Sequence, residues 1–224
     1  MQTIKIGEFE YSRTKIKNNI LRVYADSLES EKNDWYREAH QWAVDVSNFL
    51  YSFKRLNVSV NQVLGITSAL SPLKEWEKNK ELAVDFILSG DCGHMKNNKS
   101  KASAILNLQY SGNGHPMDSQ RDEHFKESNV YYDDEILKIL NGNKTMRFYL
   151  NMMYPYDATG VTVDRHAIAI AIGRTATEVE QVLTPSKYTF IENCYKITAD
   201  ALGLTPLHLQ SITWQAWKRI KKEV

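Results

Sequence analysis

A lysine and an aspartate, twenty positions apart, each stand beside a signal for the start of a helix. Lys144 follows the turn-forming residues Asn141, Gly142 and Asn143, and Asp164 precedes the apolar run 167–172. A primary amine can attack an electrophilic carbon, and a carboxylate can accept a proton or stabilise positive charge. Backbone N–H groups at a helix N-terminus can bind an anion such as phosphate. The pair therefore suggests nucleophilic or acid–base chemistry close to an anion-binding turn.

These segments resemble motifs of the helix-hairpin-helix DNA glycosylase superfamily, especially its endonuclease III-like members. The hairpin of that family reads Leu-Pro-Gly-x-Gly-x-Lys-Thr-Ala, and its aspartate lies in Val-Asp-Thr-His. The corresponding segments of this chain are Leu140-Asn141-Gly142-Asn143-Lys144-Thr145 and Val163-Asp164-Arg165-His166. Asn141 and Asn143 replace the usual proline and glycine, whereas the Lys-Thr and Val-Asp-x-His positions match.

A weaker similarity lies upstream, in residues 67–72 and at Asn79, which resemble the early helices of the family. The motifs of this sequence are most similar to those of phage-encoded relatives. That branch includes enzymes proposed to transfer amines or amino acids onto modified thymines. The resemblance covers about residues 34–217, and its second half is the specific part.

The resemblance implies an all-α, two-lobed fold in which a cleft receives a base extruded from double-stranded DNA. Residues 58–155 would form a central lobe that ends in the hairpin, and residues 1–57 would pack with residues 156–224 in the other lobe. Asp164 and the hairpin would then lie at the junction. Extrusion is expected because an enzyme cannot reach the target atoms of a base inside a duplex.

Asp164 and Lys144 are the expected catalytic residues under this resemblance. Asp164 would stabilise charge on the deoxyribose or activate a nucleophile, although it could equally only cap a helix. Lys144 would form a Schiff base, as in lyase-type members, or contact a phosphate. The DNA-binding candidates are Asn141, Gly142, Asn143, Thr145, Arg165, His166, Lys96, Lys99 and Lys101. Ser71 and Asn79 would line the base pocket or mark helix ends.

Three kinds of function remain open at this level. The first is cleavage of the N-glycosidic bond of a flipped base. The second is hypermodification, in which a small amine or amino acid co-substrate is attached to an activated thymine. The third is a DNA-binding or partner-binding module without catalysis. The formal net charge of +1 argues against a strongly basic DNA binder but permits a local basic face.

Composition indicates an ordinary globular protein, and no cofactor is expected. With 224 residues, of which 42% are hydrophobic, the chain can bury a substantial core. Its two cysteines, Cys92 and Cys194, cannot supply the four thiolates of an iron–sulfur cluster. Cys92 and His94 lack a second pair at zinc-finger spacing, so no metal is expected.

No apolar run reaches membrane-spanning length, and the first residues do not resemble a signal peptide. We therefore expect no membrane partner and a cytoplasmic location, which would be the host cytoplasm if the protein is phage-encoded.

Local patterns predict the main elements. Alternation at Ile4, Ile6 and Phe9 favours a short N-terminal strand or hairpin. Apolar residues at helical spacing predict a helix over about 34–54, with Phe49 and Phe53 on its buried face. Residues 89–101 are predicted to be a basic loop and 110–132 a long loop that could cover a site. Capping signals are expected at 175–178 and at the Thr-Pro pairs 184–185 and 205–206.

Overall fold

The computed structural model describes residues 2–93, 96–108, 135–156 and 159–222. Within these ranges the chain is mostly helical with one two-stranded hairpin, which confirms the expected all-α class. None of the described helices has the length and apolar character needed to cross a membrane. The loop predicted for 110–132 lies outside the described residues.

The strands are β1 (Thr3–Ile6) and β2 (Phe9–Ser12). The helices are α1 (Arg13–Ala25), α2 (Trp35–Phe49), α3 (Val60–Leu70), α4 (Trp76–Ser89), α5 (Lys96–Leu106), α6 (Glu135–Leu140), α7 (Asn143–Met153), α8 (Arg165–Ile172), α9 (Glu178–Gln181), α10 (Pro185–Ala201) and α11 (Pro206–Lys222). The chain divides into two compact units. The outer unit comprises Met1–Arg37 and Tyr154–Val224, and the middle unit comprises Glu38–Met153. Residues 38–57 therefore belong to the middle unit.

In the outer unit, the N-terminal hairpin is present as predicted. Ile6 pairs with Phe9 across a two-residue turn, and Gly7 adopts the left-handed φ of 62° that such a turn requires. The Ser12 hydroxyl then accepts a hydrogen bond from the Lys15 N–H and begins α1.

The short helix α8 forms the centre of the outer unit. Its residues Ala167–Ile172 are all buried, and α1, α10 and α11 pack around it. A helix that is apolar on every side is stable only when it is enclosed in this way. The Asn19 amide donates to the Ala171 carbonyl at 2.8 Å, and Gly173 ends the helix with φ 79°. These contacts fix the direction of α8 and of the residue that precedes it.

An ion pair between the partly exposed Arg174 and the buried Glu180 lies after α8, next to the hairpin of the same unit. The Arg174 guanidinium donates to both Glu180 carboxylate oxygens, at 2.5 and 2.8 Å. Glu180 also accepts from the Thr177 N–H in a capping box. The capping box predicted at 175–178 therefore lies two residues later, because the Thr177 hydroxyl accepts from the Glu180 N–H and makes Thr177 the N-cap. A Cβ at Gly7 would come within 2.8 Å of Glu180 Cγ, so the hairpin turn covers this side chain.

The Glu180 pair predicts a specific loss of stability in acid. Hydrogen bonds from Arg174 lower the pKa of Glu180 to about 2. Because an unfolded glutamate titrates near pH ~4.3, the stabilisation is complete above that pH and disappears as the pH falls towards about 2. Glu180→Gln is expected to be less stable than the wild type at neutral pH. Urea unfolding at several pH values should show the difference narrowing between about pH 4.3 and 2; a difference that stays constant would contradict this account.

In the middle unit, α3 is the central helix. Residues Gln62–Leu70 are buried, and α4, α5, α6 and α7 contact it. Gly65 allows the close approach of the neighbouring helices, since a Cβ there would lie 2.8 Å from Ile136 and 3.2 Å from Ile105. Side chains from α5 and α6 thus pack directly against the backbone of α3.

The loop predicted over residues 89–101 is wrong for Lys96, Lys99 and Lys101, which belong to helix α5. The local sequence is polar, but tertiary packing overrides its weak helix propensity. Ala102 and Ile105 are fully buried. The Gln62 amide donates to the carbonyl oxygens of residues 105, 106 and 108 at 3.0–3.2 Å and so binds the C-terminal end of α5.

Candidate functional site

Asp164 ends an extended segment whose backbone is bound by side chains of α10. The Tyr188 hydroxyl donates to the Val161 carbonyl at 2.7 Å and accepts from the Val163 N–H at 3.2 Å. The Glu192 carboxylate accepts from the Val161 N–H at 3.0 Å. Buried backbone groups outside regular structure need such partners. The three bonds therefore determine the path of the chain that leads to Asp164.

A second buried polar cluster binds the same segment through Thr162. The Tyr36 hydroxyl donates to Gln210 Oε1 at 2.7 Å and lies 3.3 Å from the Thr162 hydroxyl. All three side chains are buried. Residues from three distant parts of the sequence thus meet two positions before Asp164, and a satisfied network of this kind specifies one arrangement of the core.

Asp164 is the N-cap of α8. Its Oδ1 accepts from the His166 N–H at 3.0 Å and from the Ala167 N–H at 2.8 Å. Its Oδ2 accepts no hydrogen bond from any residue that the structure describes. The carboxylate is half-buried, and the helix N-terminus favours its negative charge. One oxygen is therefore used for structure, and the other is available to a proton or a developing cation.

His166, two residues after Asp164, contacts one of a pair of tryptophan rings. The centroid of the His166 ring lies 6.4 Å from that of Trp214, and the Trp214 and Trp35 ring centroids are 5.6 Å apart. Lys218 Nζ lies 4.5 Å from the centroid of Trp214. Arg165 is exposed, with its Nε 3.4 Å from His166 Nε2. The N-terminus of α8 thus combines a carboxylate with half-buried rings and cationic groups.

Tyr195 is a fully buried side chain of α10 whose hydroxyl has no hydrogen-bond partner of normal geometry among the described residues. The Thr213 hydroxyl is close enough to interact, but it bonds to the Leu209 carbonyl at 2.9 Å. Burial raises the pKa of Tyr195; Thr213 opposes this rise, and the nearby Asp164 carboxylate adds to it. An unsatisfied buried hydroxyl costs about 1–3 kcal/mol, and such costs are often tolerated near functional groups.

In the middle unit, the predicted turn before Lys144 is present between two helices. Asn141 and Gly142 alone separate α6 from α7, and Asn141 adopts a left-handed φ of 43°. The Asn141 N–H donates to the Leu137 carbonyl at 3.1 Å, and the Met146 N–H donates to the Gly142 carbonyl at 2.9 Å. Residues 141–143 are exposed. The first backbone N–H groups of α7 therefore lie at the protein surface.

Lys144 and Thr145 differ in whether their side chains already form hydrogen bonds with the described residues. The Thr145 hydroxyl donates to the Gly142 carbonyl at 3.1 Å, so its hydrogen is used within the turn. Lys144 is half-buried and forms no hydrogen bond or ion pair with the residues that the structure describes. The Lys144 amine is thus available to an anion or an electrophile.

The candidate lysines of α5 have different surroundings. Lys101 Nζ donates to the Leu140 carbonyl, where it compensates the negative end of α6 and joins α5 to the turn. Lys99 Nζ lies 3.9 Å from the exposed Asp91 carboxylate, and the Lys99 side chain is itself about half exposed. The structure therefore brings Lys101 to the turn at 141–145, whereas the charge of Lys99 is partly balanced.

The two pocket candidates stabilise helices in the middle unit. The Ser71 hydroxyl donates to the Ser68 carbonyl at 2.9 Å at the end of α3. The buried Asn79 amide donates to the Thr67 carbonyl at 3.1 Å and joins α4 to α3. The next residue but one after Ser71 is Leu73, which has a left-handed φ of 60° and is 81% exposed. This strained, exposed apolar side chain was not expected from the sequence.

No group of metal-binding side chains occurs within the parts of the chain that the structure describes. Cys92 and Cys194 are both buried thiols that form no disulfide bond. Burial raises the pKa of the Cys194 thiol to about 11, so it is protonated and unreactive near neutral pH. The described cysteines therefore offer no thiolate for chemistry.

Comparison with known proteins yields one family. Residues 2–127 and 113–221 match a family of unknown function, DUF7178, in two overlapping stretches. The chain belongs to this family. No curated protein and no solved structure shows significant similarity to it. Membership in DUF7178 assigns no activity, so the function of this member has to follow from the chemistry of its site.

The sequence patterns did not reveal which residues of this DUF7178 member surround Asp164. Tyr188, Glu192 and Tyr195 follow one face of α10 at spacings of four and three residues. That spacing was visible in the sequence, but aromatic residues at helical spacing usually belong to a core. The partners of Tyr188 and Glu192 are Val161 and Val163, more than twenty positions away in sequence, and no local pattern predicts such a contact.

Proposed function

We propose that this protein binds double-stranded DNA and cleaves the N-glycosidic bond of a base that has been flipped out of the helix. Asp164 is the central residue of this proposal. The observation that carries it is a carboxylate with one anchored oxygen and one that accepts no hydrogen bond in the described structure, at the end of a segment bound by buried polar side chains. Catalytic groups need this kind of fixed position.

In the proposed reaction, Asp164 Oδ2 accepts a proton from a water molecule whose oxygen attacks C1′ of the deoxyribose. The electron pair of the C1′–N bond leaves with the base, and the proton is transferred to the base nitrogen. The carboxylate also stabilises the positive charge that develops on the sugar. A positioned general base contributes about 10²–10⁴-fold to the rate. The half-buried rings of His166 and Trp214 provide surfaces for the extruded nucleotide.

The turn between α6 and α7 is proposed to bind the DNA backbone. The exposed start of α7 presents amide groups, and Lys144 supplies a positive charge with no partner in the described structure. Leu73 supports the same proposal, because exposed apolar side chains of DNA-binding proteins can insert between base pairs and help to unstack them. These features favour phosphate binding as the role of Lys144.

Lys144→Gln is expected to weaken duplex binding and to reduce the dependence of log K on log [salt] by about 0.9, since one phosphate contact is lost. Fluorescence anisotropy with a labelled duplex at several salt concentrations measures both quantities. Lys78→Gln is the matched control, because Lys78 is exposed but already paired with Glu81 at 2.7 Å. Equal salt dependence of the wild type and Lys144→Gln would contradict the phosphate contact.

A DNA-binding role without catalysis is the second candidate. It is favoured by the capping bonds of Asp164, which already give this residue a structural purpose. The two functions differ in one observable. Duplexes that carry different modified bases, incubated with the protein and then heated in alkali, break at abasic sites only if a base has been released. Binding without any breakage would support the module.

A further inference from the structure

An exposed aromatic surface follows the end of α2 in the middle unit. The sequence pattern placed Phe49 and Phe53 on a buried face, but this prediction is wrong: they are 46% and 76% exposed, whereas Leu50 is fully buried. The buried face of α2 runs through Ala39, Ala43, Ser47 and Leu50, so Phe49 lies beside this face. Phe53 lies in the π-helical turn Leu50–Lys54 that follows, after which the Leu56 N–H donates to the Leu50 carbonyl at 3.1 Å. Leu50 therefore remains in the core, whereas both rings are exposed.

The two exposed rings lie against each other. The Phe49 and Phe53 centroids are 5.3 Å apart, and the ring planes differ by 30°. Leu56, 37% exposed, continues the apolar character of this surface. Removal of such rings from water is strongly favourable. An exposed stacked pair is therefore suited to bind a flat partner that covers it.

The surroundings of the rings are positively charged. Lys54 and Arg55 are both exposed and form no ion pair with any described residue. Residues 46–74 contain no aspartate or glutamate, whereas they contain Lys54, Arg55 and Lys74. The preceding acid, Asp45, accepts a hydrogen bond from Gln41 at 2.9 Å. A partner that covers the rings would therefore meet two unbalanced cations, and negative charge on the partner would complement them.

We propose that Phe49 and Phe53 stack on the bases of an unpaired DNA strand, whose phosphates contact Lys54 and Arg55. Unpaired bases expose flat π-faces next to phosphates, and proteins bind such strands by combining aromatic rings with positive charge. The bases of an intact duplex are stacked on each other and cannot cover the rings. A membrane surface fits less well, because interfacial binding needs a long amphipathic face rather than one pair of rings.

The choice of DNA over RNA rests on the proposed function, whereas the stacking surface rests on the middle unit alone. Anisotropy of a labelled oligothymidine of about 15 nucleotides, a typical length for such sites, measures binding to the full chain. Phe53→Ala is expected to weaken binding about tenfold, and Phe53→Trp to retain it. Phe9→Ala is the control, since Phe9 is 57% exposed but lies beside Arg174, which is paired with Glu180.

Replacement of both Lys54 and Arg55 by glutamine is expected to reduce the salt dependence by about 1.4, or about 0.7 for each single-strand phosphate contact. Equal affinity of wild type and Phe53→Ala would overturn the proposal, as would tighter binding of an oligouridine of the same length. Phe53-dependent binding to phosphatidylserine vesicles without strand binding would instead identify a membrane surface. Strand binding that depends on Phe53 in a protein that releases no base would support this surface and reject glycosidic cleavage.

Discussion

Asp164→Asn is expected to lower turnover on a substrate duplex by about 10²–10⁴-fold while the Kd for the duplex changes only a few-fold. The variant keeps an oxygen that can accept from the His166 and Ala167 N–H groups, which Oδ1 binds at 3.0 and 2.8 Å. Asparagine is as good an N-cap as aspartate, so α8 should remain folded. The loss would therefore belong to the negative charge and to the second oxygen. Single-turnover kinetics with saturating protein measures the effect on the chemical step.

Asp164→Ser and Asp164→Ala separate chemistry from helix capping. Serine also caps helices, so Asp164→Ser should be folded and inactive, whereas Asp164→Ala should lose about 1 kcal/mol of stability as well. A structural role alone predicts the opposite order, in which asparagine and serine support full turnover and only alanine causes a defect. Full activity in either capping variant would therefore contradict the catalytic assignment.

Tyr188→Phe is expected to lower the free energy of unfolding by about 2–4 kcal/mol. The hydroxyl bonds to both the Val161 carbonyl and the Val163 N–H, so its loss leaves two buried backbone groups unsatisfied. For a protein of this size the change corresponds to a fall in Tm of roughly 5–15 °C. At temperatures where the variant is still folded, its turnover should also be lower than that of the wild type, because the same bonds position Asp164. Thermal and urea unfolding measure the stability.

Tyr195→Phe is the matched control for Tyr188→Phe. It makes the same chemical change on the same helix, but the Tyr195 hydroxyl has no partner of normal geometry in the described structure. Its removal relieves the cost of burying a polar group, so stability should be unchanged or higher. Equal destabilisation by the two substitutions would show that the Val161 and Val163 bonds do not explain the effect.

Sequence patterns correctly predicted the helix starts and turns that depend on interactions between neighbouring residues. The starts of α10 and α11 follow from a threonine cap with proline in the first turn, and the Thr184 hydroxyl accepts from the Lys187 N–H at 3.3 Å. The turn at 141–142 and the N-terminal hairpin likewise depend on neighbouring residues. Asp164 was identified as a helix start for the same reason.

The predictions failed for features that depend on contacts between residues far apart in the sequence. Helix α5 depends on Ile105 and on the Gln62 amide, neither of which is evident from its polar start. Phe53 was assigned to the buried face, but that face runs through Ala43, Ser47 and Leu50, and Phe53 lies in the π-helical turn that follows. The bonds from α10 to the segment before Asp164 join residues more than twenty positions apart. A pattern of polar and apolar residues specifies faces, but it does not specify which faces meet.

Release of a base from DNA can be observed directly by mass spectrometry of treated duplexes. Duplexes that carry thymine, uracil, or hydroxymethyl- or pyrophosphoryl-modified thymine would be incubated with wild type and with Asp164→Asn, with and without amines. With the wild type, a mass loss to an abasic site is expected on one of these duplexes, and it should be absent with Asp164→Asn. A mass gain that requires an amine would contradict cleavage and identify a transferase, and unchanged masses on every duplex would contradict catalysis.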